Sequence, residues 1–314
     1  MKNLLNLNDQ IIYAICGIFC LLITASIISI IISRFRLMKN PQNLRKRVKT
    51  WWIMACMFIF AIIVGKYLSL VFFAFMSFLA LKEYFTIIPT RRADRRVLFL
   101  AYLSIPMQYF WISRGWYGMF VIFIPVYMFL LLPLRLTLTG ETKGFLRSAG
   151  TIHWGLMITV YCLSHAAYLL MLPAAKNPNG GGAALLLFLV FLTEINDVSQ
   201  YICGKSFGKR KVVPKVSPGK TWGGLIGGIV ITTSLAVVLA KYLTPLTFPY
   251  SLFAGLIISI AGFFGDIVIS SLKRDLAIKD SGNMLAGHGG ILDRVDSLSY
   301  AAPLFFHFIR YFFY

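Results

Sequence analysis

Residues 251–297 read SLFAGLIISIAGFFGDIVISSLKRDLAIKDSGNMLAGHGGILDRVDS. The first part, 251–272, is an apolar run whose one charged residue is Asp266. About twenty helical residues of this kind cross a hydrocarbon layer roughly 30 Å thick. The run lacks the period-two alternation of a barrel strand, so it reads as a transmembrane helix. The second part, 273–297, is opposite in character. Lys273, Arg274, Lys279 and Arg294 stand among Asp275, Asp280, Asp293 and Asp296, and with Asp266 these acids are five of the chain's eleven. A glycine-rich, charge-dense loop between two apolar segments sets the fold class and points to chemistry at a membrane surface.

Working outward, the whole chain has the same solvent. With 58% hydrophobic and 13% charged residues in 314, it cannot be a water-soluble domain. Ten candidate spans fall at 11–32, 51–65, 67–81, 97–113, 116–133, 151–173, 183–195, 222–243, 251–272 and 297–314. The expected fold is therefore an all-α polytopic transmembrane bundle. The first apolar run is too long for the core of a signal peptide and leads into a basic loop. If both termini lie outside, the loops after spans one, three, five, seven and nine face the cytoplasm, and they hold 25 of the 31 lysines and arginines. The positive-inside rule supports that orientation.

The net charge of +20 is spread over these loops, where it fixes topology and meets anionic headgroups, so nucleic acid is not an expected partner. Arg45, Lys46, Arg47 and Lys49 before Trp51 and Trp52 form a juxtamembrane anchor of this kind. The five cysteines show no CxxC spacing, so neither a zinc site nor a disulfide framework is indicated. His153, His165 and His307 on apolar helices read as structural.

Polarity divides the chain in two. Residues 1–180, about six spans, read as scaffold; residues 181–314 read as the catalytic region, with cytoplasmic loops 196–221 and 273–296. Glu194 and Asp197, three apart at the end of span seven, share a helix face. Ionisable groups at that depth are costly and point to function. After them, Gly204, Gly208, Pro214, Pro218 and Gly219 are expected to break any helix. Gly219-Lys220-Thr221 resembles the end of a P-loop, but Pro214 stands where that pattern needs glycine, so a Walker A fold is excluded. Ser217 to Thr221, at the mouth of a span, instead offers a lysine, a hydroxyl and emerging helix amides to a phosphate. Asp266, Ser270 and Lys273 are spaced four and three, on one face. Asp293 and Asp296 are three apart where the chain re-enters the membrane. Two carboxylate-bearing helix ends around one loop suit a hard cation that shares oxygen ligands with phosphate, as Mg²⁺ does. The glycines at 289 and 290 allow backbone to approach a ligand closely.

Ser270, Leu272-Lys273-Arg274, Lys279-Asp280, Gly282, Leu285, His288-Gly289-Gly290 and Asp293-Arg294-Val295-Asp296 resemble the signature of the CDP-diacylglycerol synthases, or phosphatidate cytidylyltransferases. Ser217 to Trp222, the segment from Asp197 to Gly208, and Gly265-Asp266 are similar to that family as well. The likeness covers about the last 120 residues, with Leu81-Lys82-Glu83-Tyr84 before them. Two positions depart from it: Ala286, where proline or glycine is usual, and Gly223, where glutamate or glutamine is frequent.

The resemblance implies that a lipid phosphate, phosphatidic acid, attacks the α-phosphorus of CTP to give CDP-diacylglycerol and pyrophosphate with Mg²⁺, with room for a second, monovalent cation. It implies Asp266 and Asp293 as metal ligands, with Asp197 or Asp296 beside them. Lys273, Arg274 and Arg294 would meet the transferring phosphates, and Ser217, Lys220 and Thr221 the triphosphate. Ser270, Lys279, Asp280 and His288-Gly289-Gly290 would line the nucleotide site. The setting would be the cytoplasmic face of a bacterial inner membrane, in contact with membrane lipids, and a homodimer is compatible with it. Three other readings remain at this point: a CTP-dependent polyprenol-type kinase, a cytidylyltransferase acting on another lipid phosphate, and an anion transporter. The last is disfavoured because the charges gather at one face and no repeat is visible.

Overall fold

The structure is a computed structural model that describes residues 8–35, 41–282 and 289–314. Ten long helices carry the chain: α1 Asp9–Arg34, α2 Pro41–Val64, α3 Lys66–Ile87, α4 Arg95–Ser113, α5 Tyr117–Thr137, α6 over 145–169, α7 Gly181–Phe207, α8 Trp222–Leu243, α9 Phe248–Asp275 and α10 Leu292–Phe313. Among the described residues there is no strand, only an isolated bridge between Lys211 and Thr221. Ten helices stand where ten spans were expected, and the protein is a multi-pass membrane bundle. Among the described residues, seven segments are long and apolar enough to cross a bilayer: α1, Leu44–Val64 of α2, α3, α5, α7, α8 and α9. The other three helices carry more polar side chains, such as Arg95, Arg96 and Gln108 on α4, or Asp293, Arg294, Asp296 and Arg310 on α10.

Several helices outrun the apolar runs that announced them. The runs at 67–81 and 183–195 sit inside helices of 22 and 27 residues, and the run at 51–65 ends one residue past a helix of 24. Charged and small polar residues end a hydrophobic stretch without ending a helix, because lysine, arginine and glutamate are good helix formers. Gly204 does not break α7, contrary to expectation, and the helix continues to Phe207. Its lack of a side chain serves packing instead. A Cβ there would lie 3.1 Å from the Thr221 Oγ1 on the neighbouring helix cap.

Glycines bring the C-terminal helices close together. A Cβ on Gly228 of α8 would stand 2.5 Å from Gln200 Cγ on α7, and one on Gly265 of α9 would overlap the Asp296 carbonyl on α10. In a bilayer, where apolar burial offers little drive to association, such small-residue contacts are what let helices pack. The N-terminal region joins the same core. Phe120 on α5 and Tyr168 on α6 face Phe306 on α10, with ring centroids 6.0 and 5.1 Å apart.

The turn between α3 and α4 is fixed by Asp94, whose side chain is 1% exposed. It accepts from the Arg91 amide at 3.0 Å, the Arg91 guanidinium at 2.8 Å and Ser148 Oγ at 2.9 Å. Burial works against its charge, but these donors hold its pKa below the ordinary 3.8. A depressed carboxyl stabilises the fold fully above its unfolded pKa and loses that contribution as pH falls through the folded value. Asp94→Asn, which weakens the half-exposed Arg91 pair and the buried Ser148 hydrogen bond, is expected to cost about 1–2 kcal/mol. Unfolding in detergent at neutral pH checks this, and the gap from wild type should narrow in acid.

Candidate active site

The segment between α7 and α8 folds back on itself because its backbone pairs locally. Val212 N donates to Lys220 O at 3.1 Å, Trp222 N to Arg210 O at 3.0 Å, and Ser217 N to Val213 O at 2.9 Å. Thr221, 3% exposed, caps α8 by accepting from Gly224 N at 3.1 Å. Its hydroxyl is thus committed to the helix, and Lys220 is the residue this loop turns inward. Lys220 Nζ lies 2.7 Å from Asp266 Oδ2 and 2.9 Å from Gln200 Oε1, above the Phe263 ring. Burial works against the ammonium, but Asp266 and Asp197 outweigh it and hold its pKa above the ordinary lysine value.

Around Lys220 the C-terminal parts of α7 and α9 meet the first turns of α10. Asp197, Asp266 and Asp296, one from each helix, lie within electrostatic reach of one another and of Lys220. The sequence Gly265-Asp266 explains part of this: the glycine admits the α10 backbone, which sets Asp266 beside Asp296. Ser270 Oγ donates to Asp266 at 3.2 Å and Ser297 Oγ to Asp197 at 3.1 Å, so two hydroxyls orient the carboxylates. Below them Asn196 ties α7 to Ser259 on α9 and Thr232 on α8.

Asp293 belongs to a different network. Its Oδ1 takes Lys273 Nζ at 2.6 Å, and its Oδ2 takes Ser281 N at 3.0 Å, Ser281 Oγ at 2.8 Å and Gly290 N at 3.1 Å. Glu83, from the distant end of α3, completes this network. Its carboxylate accepts from Ser281 Oγ, from Ile291 N at 2.8 Å and from Leu292 N at 3.2 Å. Glu83 thereby caps α10, where orphan amides and the helix dipole favour an anion. Gly289, in the left-handed region at φ 75°, and Gly290 make room for these carboxylates: a Cβ on either would overlap Asp293 or Glu83. The close approach these glycines permit is to the protein's own acids.

Of the remaining expected residues, Ser217 is half-buried in the loop. Arg274 is exposed and braces it, donating to the Val216 carbonyl at 3.1 Å. Lys279 and Asp280 are exposed at the rim. Arg294 turns into an apolar cavity that it shares with Glu194. His288 and Ala286 lie outside the described residues. At Gly223 a Cβ would come 2.9 Å from the Phe207 carbonyl oxygen, so the bare position suits this helix crossing.

The donor set fits Mg²⁺. Three carboxylates around a lysine form an oxygen-rich cluster that seeks positive charge, and the Lys220 ammonium already rests on one of them. Among the described residues no three His, Cys, Asp or Glu side chains close around a metal ion by themselves. Mg²⁺ is ordinarily held that way, by one or two carboxylates completed with water and substrate phosphates. Of the two ligands first expected, Asp266 stands in this cluster and Asp293 is committed to Lys273, Ser281 and Gly290.

Helix ends that gather acids and a buried lysine define an integral membrane protein with a charged site set into its helical bundle. The chain belongs to the cytidylyltransferase family, whose profile matches residues 45–312. It is 46% identical over 302 residues, 95% of this chain and 98% of the relative, to the uncharacterized protein YnbB of Escherichia coli (strain K12). It is also 31% identical over 278 residues to the phosphatidate cytidylyltransferase of Bacillus subtilis (strain 168), covering 86% of this chain and 99% of that one. The Haemophilus influenzae phosphatidate cytidylyltransferase matches over 137 residues, 42% of this chain and 47% of the relative, at 41% identity.

Proposed function

We propose that this protein transfers the cytidylyl group of CTP to a lipid phosphate, phosphatidic acid foremost, at the cytoplasmic face of a bacterial inner membrane. The observation that carries the reading is the convergence of Asp197, Asp266 and Asp296 on Lys220 at the ends of membrane helices. An oxygen of the lipid phosphate bonds to the α-phosphorus of CTP, the bond from that phosphorus to the bridging oxygen breaks, and pyrophosphate leaves. Such a reaction asks for positioning and charge stabilisation more than covalent chemistry. Lys220, freed from Asp266 by the arriving triphosphate, is placed to offset charge on the leaving group. Lys273 and Asp293 keep the loop before α10 in register. Mg²⁺ held by Asp266 with Asp197 or Asp296 would neutralise nucleotide phosphate charge. The basic loops favour the cytoplasmic orientation.

Purified protein given α-labelled CTP and phosphatidic acid is expected to form labelled lipid and pyrophosphate, and chelation of Mg²⁺ should stop it. Label entering lipid only from γ-labelled CTP would make it a kinase and overturn the assignment. The higher identity to an uncharacterized relative than to a named phosphatidate cytidylyltransferase favours screening other lipid phosphates beside phosphatidic acid.

A further inference from the structure

An apolar cavity of about 270 Å³ enters the protein between α1, α2 and α3 on one side and α7 and α10 on the other. Leu22, Ala25, Met54, Phe58 and Val190 are among its walls. Two charged side chains interrupt this surface, Glu194 and Arg294. Arg294 is half-buried, and its Nε is buried with no hydrogen-bond partner among the described residues. Glu194 lies within its electrostatic reach. The helix α10 therefore presents Asp296 to the carboxylate cluster and Arg294 to the cavity. Leu21 and Met57, also on the wall, are 48% and 46% exposed, so the cavity opens sideways between α1 and α2. In a multi-pass protein that opening faces hydrocarbon.

A soluble nucleotide has no reason to enter such a space. An amphiphile does: its methylene chain lies against leucine, methionine and phenylalanine, and its anionic head meets an arginine with a donor to spare. That head then sits beside the helix turn that bears Asp293 and Asp296.

We infer that this cavity holds an acyl chain of the lipid phosphate, with Arg294 on its phosphate, so that α1, α2 and α3 form part of the acceptor site and set its chain-length preference. This rests on the proposed function for the identity of the lipid. It assigns Arg294 to the acceptor and leaves the triphosphate to Lys220. It also gives the N-terminal helices a role in substrate choice.

Ala25→Trp, which fills the cavity, is expected to lower kcat/KM for long-chain phosphatidic acid about tenfold or more, with short-chain phosphatidic acid and the KM for CTP changed less than about twofold. Arg294→Gln should raise the KM for phosphatidic acid about tenfold at every chain length and leave the KM for CTP within about twofold. Ile28→Trp, on α1 but exposed outside the cavity, serves as control and should behave as wild type. Independently of turnover, phosphatidic acid carrying a diazirine at the end of one acyl chain should cross-link wild-type protein within α1 and α2 near Ala25 and Met54. Excess unlabelled phosphatidic acid should suppress that cross-link. Equal losses for all chain lengths in Ala25→Trp, or cross-links scattered over the outer faces of α4 and α5, would overturn the inference. Absence of any cytidylyl transfer by wild type strikes the proposed function alone, and the cross-link then still decides where the lipid lies.

Discussion

Asp266→Asn protein, recovered at wild-type yield, is expected to transfer cytidylyl groups from labelled CTP at least about 10²- to 10³-fold more slowly, the loss typical when one preorganised electrostatic partner is removed. Asp266 holds Lys220 at 2.7 Å, accepts from Ser270 and lies within electrostatic reach of Asp197 and Asp296. The amide keeps the shape and loses the charge, which removes the anchor of the lysine and, on the proposed function, a carboxylate for Mg²⁺ at once. Asp275→Asn, an exposed acid at the end of the same helix, should remain within about twofold of wild type, as surface changes usually do. Stopped-time assays with α-labelled CTP over a range of Mg²⁺ concentration make the comparison. Undiminished turnover by Asp266→Asn would remove the basis of the site.

Glu83→Ala is expected to lower the free energy of unfolding in detergent by about 3 kcal/mol or more. It leaves the Ile291 and Leu292 amides without their acceptor, at roughly 1–3 kcal/mol for each buried group left unpaired, while the Ser281 hydroxyl keeps Asp293. Activity should fall with it, because the first turn of α10 carries Asp293 and Asp296. Glu83→Gln keeps one acceptor oxygen and should lie between the two. Lys82→Ala, at the exposed neighbouring position, should change neither quantity. If Glu83→Ala unfolds like wild type, the carboxylate is not the cap of α10.

The bundle was legible because hydrophobicity is a local property, and each of the ten apolar runs maps to its own long helix, though the runs at 51–65 and 151–173 overshoot the helix ends. Helix ends were less so, since nothing in an apolar run says where a helix stops once it leaves the bilayer. Within the site, the spacing of Asp266 and Ser270 carried directly into a hydrogen bond. The pairing of Asp293 with Asp296 did not carry over as a shared site. Residues three apart differ by about 60° around a helix, and here that angle separates the Lys273 network from the Lys220 cluster. Glycines 289 and 290 signalled a close approach but not its object. Glu83 was marked by its place at a span end and by the likeness of Leu81-Lys82-Glu83-Tyr84, but neither named its partners, which lie some two hundred residues later. Gln200, Ser281 and Ser297, which position the charged groups, bear ordinary polar side chains that no local pattern distinguishes.

The reach of Glu83 also sets an order on biosynthesis. Its partners at Ile291 and Leu292 come 208 and 209 residues after it. A ribosome adding about 5–20 residues per second needs on the order of 10–40 s to make that stretch. Through that interval the acid waits without its helix, and the site around Glu83 cannot assemble until α10 is made.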